Sequence, residues 1–133
     1  MTIAKETLAE TTAQAIEAAR SELVEVALDI HAHPELNYME QHAAQLLSGT
    51  LEGHGFKVER GVGGVETAFT ATLSGGAGDG PTVAVIAEYD ALPEIGHGCG
   101  HNLIAMAAIG AGLGLKANLD QLPGRIMVIG TPA

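Results

Sequence analysis

A chain of 133 residues with a formal net charge of -10 and only six Lys and Arg has too little clustered positive charge to neutralise a phosphate backbone, which excludes nucleic acid as a partner. With 47% hydrophobic residues, 17% charged and Gly 18, it reads as globular, and two Tyr, two Phe and no Trp leave an aliphatic core of Ala, Val, Leu and Ile. One cysteine forms no internal disulfide, which fits a reducing cytoplasm, and the acidity reads as a solvated surface.

The opening "MTIAKETLAE" has no basic region followed by an apolar run, so no secretory leader is expected. The longest uncharged stretch, residues 96–115, has an apolar part shorter than the roughly 18 residues of a membrane span and reads as a buried helix. No membrane partner is expected.

Period predicts a helix over about residues 11–30, with Ile16, Leu23, Val26, Ala27 and Ile30 on one face. Pro34 ends it within "HAHPEL". Asn37, with Glu40 three residues on, predicts the N-cap of a second helix that buries Ala43, Leu46, Leu47 and Leu51 and closes at Gly55. "FKVER" and "TAFTATL" alternate as strands, with Phe56 and Val58, then Phe69, Ala71 and Leu73, turned inward. "SGGAGDGP" is a turn. "TVAVIA", residues 82–87, is apolar at nearly every position and predicts a central strand covered on both faces. A helix over about residues 102–116, dense in Ala and Gly, and a second central strand at "GRIMVIG" complete an α/β pattern.

The most informative segment is "GHGCGHN", residues 96–102, which lies between a strand and a helix, at the sheet edge where α/β folds bind ligands. If it is extended, His97, Cys99 and His101 face one cavity. A thiolate and imidazoles suit Zn²⁺, and neighbouring carboxylates shift the preference toward Mn²⁺ or Co²⁺. Glu88 and Asp90, in "AEYDALP", end the preceding strand, where a carboxylate binds metal or holds a ligating histidine in its tautomer. The alternatives are a buried structural cysteine with solvent-facing histidines, or a Cys99 nucleophile activated by His101 and Asp90.

"IHAHPEL", "AEYDALPEIGHGCGHNLI" and "LPGRIMVIGTPA", in this order, resemble the amidohydrolase and aminoacylase branch of metallopeptidase family twenty. Within it they are most similar to p-aminobenzoyl-glutamate hydrolases and dipeptidases of the beta-alanyl-lysine type. The resemblance runs from about Ala19 to Ala133. It implies the N-terminal part of a zinc-peptidase-like three-layer catalytic domain, a central sheet flanked by helices, over residues 1–133, with the C-terminal half and a dimerisation domain absent. It implies that Cys99 and His101 bind divalent metal, Zn or Mn with Co as a third option. Asp90 matches the aspartate that orients a ligand. Glu88 stands where the wider family has a histidine ligand and is a possible metal contact. His97 is assigned a supporting role, and Glu94 stands where glycine is usual.

In the family, "GTPA" is followed by two glutamates, a general base and a metal ligand. The resemblance therefore implies a hydrolase of an amide or peptide bond in an N-acyl or aminobenzoyl amino acid or a dipeptide, with this 133-residue chain inactive alone for want of the base. The alternative is a non-catalytic truncated or split-gene fragment that pairs with a complementary chain. Exposed edges and apolar faces predict self-association or such pairing. Three other features read as structure: His31, His33 and His42, a His-x-His pattern without evident carboxylates; "GAGLG", residues 110–114, inside a helix; and "GGAGDGP", with no lysine of a phosphate loop.

Overall fold

The computed structural model describes residues 4–132; the first three residues of "MTIAKETLAE" and Ala133 of the "GTPA" segment lie outside them. Helices α1 (Lys5–Ala18), α2 (Arg20–Ala32) and α3 (Gln41–Gly53) precede strands β1 (Lys57–Arg60), β2 (Phe69–Ser74) and β3 (Thr82–Glu88). Helix α4 (His101–Lys116) then crosses to β4 (Arg125–Thr131). The sheet order is β1-β2-β4-β3, antiparallel except for the β3/β4 pair, which is parallel and runs from Thr82 opposite Arg125 to Glu88 opposite Thr131. A parallel pair needs a long crossover, and α4 supplies it.

Register explains the core. Phe69, Gly130 and Ala87 lie in one row, and Ala71, Val128 and Val85 in the next, all on the face toward the helices. Leu23, Val26 and Ile30 of α2, Leu47 and Leu51 of α3, and Ala105, Ala108 and Ile109 of α4 close over these rows. The opposite face, bearing Thr70, Thr72, Ala84, Ile86, Met127 and Ile129, holds no buried residue. The α/β class holds, and among the described residues two of the expected three layers are present. No helix is long and apolar enough to cross a membrane among those residues.

Three expectations are corrected. The first helix is two, broken at Ala19 (φ -90°, ψ 2°), and it starts at Lys5. The break swings α1 onto α4, where a Cβ on Gly114 would lie 2.8 Å from Thr12 Cγ2 and 3.1 Å from Ile16 Cδ1, so Ile16 leaves the Leu23–Ile30 stripe. Helix α3 begins at Gln41, because Asn37 (φ 55°) and Tyr38 (φ 66°) are left-handed and no residue at the N-cap donates a side chain. The Glu35 carboxylate does the capping instead, accepting from the His42 and Ala43 N–H groups at 2.8 and 3.0 Å. Strand β3 is the sheet's edge, with Val83 51% and Ile86 54% exposed. Uniform apolarity does not say which sides of the strand the chain covers. Strand β4 is central, as expected.

Packing is tight at Gly130, where an added Cβ would lie 2.1 Å from Phe69 Cε1. Phe69 cannot retreat, since it is buried and stacked on Tyr89 at 6.2 Å between centroids. Gly130→Ala is expected to cost about 2 kcal/mol or more in thermal unfolding. Combined with Phe69→Leu, the loss should be smaller than the sum of the two single variants.

Candidate metal centre

Strand β3 delivers the two carboxylates. Tyr89 is fully buried, and its hydroxyl donates to the Thr67 carbonyl at 2.5 Å. Burial, with the Glu40 charge adding to it, pushes that hydroxyl far above the usual tyrosine range. Because side chains alternate along a strand, pinning Tyr89 inward turns Glu88 and Asp90 the other way.

The segment that follows is a looped return, fixed by backbone bonds. Ala91 N–H donates to the Glu35 carbonyl at 2.9 Å, and Leu92 and Gly96 exchange bonds of 2.8 and 3.0 Å. Within that loop Glu94 has φ 65°, a left-handed conformation that explains why glycine is expected at its position. Gly100 N–H then donates to the His97 carbonyl at 3.1 Å, and Gly100 itself (φ 79°) sets the direction of α4. Residues 97–100 thus form a turn and not an extended run. In consequence His97, Cys99 and His101 do not share one face: His97 is buried and Cys99 exposed.

His101, the first residue of α4, meets the carboxylates. Its Nδ1 lies 2.6 Å from Asp90 Oδ1 and 3.1 Å from the Asp90 carbonyl, so Nδ1 carries the proton and donates. Nε2 faces Glu88 Oε2 at 3.3 Å. Two ligands of one tetrahedral ion, at bonds of roughly 2.0–2.1 Å, stand about 3.3 Å apart. An imidazole nitrogen and a facing carboxylate oxygen at this separation are ligand types that a divalent ion takes. Side-chain exposure of 22% at His101 and 46% at Glu88 leaves the pair open on one side.

Among the described residues, the trio of ligand atoms lying mutually within 4.8 Å is Asp29, His33 and His42, and it includes none of Cys99, His101, Glu88 or Asp90. His97 has neither ring nitrogen hydrogen-bonded. Burial holds its pKa below the usual imidazole range; His31, 6.4 Å away between centroids, and His101 add to this, against a weaker pull from Asp90 and the Ile30 carbonyl. Sequence reasoning missed Glu35 and Tyr89, whose bonds reach residues far along the chain and leave no local spacing to read.

No family-wide sequence model matches the chain. It is 38% identical over 124 residues to one of the subunits of the Escherichia coli p-aminobenzoyl-glutamate hydrolase, covering 80% of this chain and 25% of that protein. It is 38% identical over 132 residues to the mouse Xaa-Arg dipeptidase, covering 91% of this chain and 31% of the dipeptidase. A dinuclear metal-binding peptidase of the M20 family from Bacillus subtilis superposes with a TM-score of 0.78 at 27% identity, over 88% of this chain and 36% of that one.

By sequence and by fold, the chain belongs to the M20 peptidases. It spans 25% and 31% of the length of the two curated relatives above. The M20 membership read from "AEYDALPEIGHGCGHNLI" stands, and the motif sits where that reading places it, between β3 and α4.

His97 makes the metal-free M20 chain acid-sensitive. Above about pH 6.5, the ordinary imidazole value, both folded and unfolded chains carry it neutral. Below that value the unfolded chain takes up a proton that buried His97 resists, so stability is lost as pH falls toward the lowered folded-state value. Urea midpoints of the metal-free chain at pH 7 and pH 5 should therefore differ more for the parent than for His97→Gln.

Proposed function

We propose that residues 1–133 are the N-terminal portion of the catalytic domain of a metal-dependent amidohydrolase or dipeptidase, acting on the amide or peptide bond of an N-acyl or aminobenzoyl amino acid or a dipeptide. The observation that carries this reading is His101 held between two carboxylates, with Nδ1 2.6 Å from Asp90 and Nε2 3.3 Å from Glu88. Cys99 and His101 hold the divalent ion, Zn or Mn with Co as a third option, and Glu88 completes the set from this part of the chain. When bound, the ion supplies Lewis-acid activation of water and of the scissile carbonyl. Asp90 acts through His101: it retains the Nδ1 proton and raises the basicity of Nε2. Cys99 contributes as the thiolate, its proton lost on metal ligation, and a reducing, cytoplasmic setting keeps the sulfur from oxidation.

The curated relatives that support the reading are named for hydrolysis of p-aminobenzoyl-glutamate and of Xaa-Arg dipeptides. The general base is assigned to none of these 133 residues, because the family resemblance places it after "GTPA". Metal binding without turnover is thus the behaviour expected of this chain assayed alone. One observation favours the second reading, a non-catalytic chain that works by pairing with itself or a complement: the unpaired β3 edge exposes Val83 and Ile86.

Reconstitution with Mn²⁺ or Zn²⁺ followed by elemental analysis tests the centre. Cys99→Ala should lower the bound metal by one equivalent, and Asp90→Asn should weaken binding by about 10–100-fold. Unchanged stoichiometry and affinity in both variants would remove Cys99 and Asp90 from the site. Turnover by this chain alone, abolished by chelator, would overturn the assignment of the base elsewhere.

A further inference from the structure

A second cluster of ligand-type side chains lies outside that centre. Asp29 is in the last turn of α2, His33 follows that helix as its C-cap, and His42 is in the first turn of α3. One donor atom from each lies within 4.8 Å of the other two. His42 Nε2 is 2.7 Å from Asp29 Oδ2, His33 Nδ1 is 3.2 Å from Asp29 Oδ1, and the two rings face each other at 4.3 Å between centroids. The spacing in sequence hides this, because the carboxylate comes from α2, four residues before His33 and thirteen before His42.

We propose that Asp29, His33 and His42 form a separate binding site for a borderline divalent transition ion, Zn²⁺ or Cu²⁺. Two imidazoles and one carboxylate with water in the remaining positions is a donor set these ions take, and hard cations prefer all-oxygen sites. Three features prepare it. The Glu35 carboxylate fixes the His42 backbone by accepting from its N–H at 2.8 Å. His33 N–H donates to the Ile30 carbonyl at 3.1 Å, which seats the second imidazole. The carbonyl end of α2, with Asp29 on its last turn, favours a cation electrostatically.

The metal-free arrangement also defines the proton balance. His42 Nε2 at 2.7 Å from the carboxylate donates its proton to Asp29, and the His33 Nδ1–H is directed at the Asp29 carbonyl at 2.8 Å. Metal takes the place of the proton on His42 Nε2, and the ring regains a proton at Nδ1 through solvent, so it coordinates as a neutral imidazole with no net proton released. Side-chain exposure of 54% at His33 and 42% at His42 leaves room for the ion and its waters.

Zn²⁺ alone is the probe, titrated by competition with a chromophoric chelator into the 133-residue chain carrying Cys99→Ala and His101→Ala. One equivalent is expected to bind. Adding His33→Ala or His42→Ala should weaken it at least about tenfold. No bound Zn²⁺ in that background, or unchanged affinity after His42→Ala, would overturn the proposal. If those variants do not fold, the unaltered chain decides: Zn²⁺ should shield His33 and His42 from diethyl pyrocarbonate, and equal labelling with and without Zn²⁺ would overturn it. Failure of the Cys99 centre is read separately, as equal metal content in the parent and the Cys99→Ala chain, and leaves these outcomes intact.

Discussion

The contact between Asp90 and the ring of His101, 2.6 Å long, joins the end of β3 to the first residue of α4. A histidine at the start of a helix ordinarily samples several rotamers and both tautomers. Here a carboxylate from another element selects one of each, and by selecting the proton's position it decides which nitrogen is free. The parallel pairing of β3 with β4 and the crossover by α4 bring these two residues to that short distance. Tyr89 between Glu88 and Asp90 serves the same end from inside the core, where its buried hydroxyl donates to the Thr67 carbonyl.

The fold is a case of close approach substituting for bulk. With four aromatic residues among 133, the layers come together by bringing backbone against side chain. Gly130 lies under Phe69, and Gly114 under Thr12 and Ile16. Such contacts gain dispersion energy from well-matched surfaces and tolerate little change in volume. They also give α1 its place, which helix propensity alone would not, since the helix has no buried residue.

Much of this was legible from residues and period. The stripe Leu23, Val26, Ala27 and Ile30, the inward Phe69 and Ala71, and the strand–loop–helix placement of "GHGCGHN" all follow from local pattern. What was not legible has one cause: it depends on partners distant in sequence. The break at Ala19 is set by where α4 lies. The cap of α3 comes from Glu35, six residues before Gln41, and not from Asn37 nearby. The exposure of Val83 depends on strand order and that of Ile86 on the face it shares with Ile129, neither of which a run of apolar residues encodes. The turn at residues 97–100, which separates His97 from Cys99, follows from the bond between Gly100 and the His97 carbonyl, where spacing alone suggested a common face.

Glu35 holds two loops with opposite ends of one residue: its carboxylate grips the start of α3, and its carbonyl receives the N–H of Ala91, just beyond Asp90. It works as a strut between the histidine-bearing bend and the loop that leads to Cys99. The two loops are thereby tied to each other through one residue. A surface bend that looks peripheral is, by this linkage, part of the alignment of the centre.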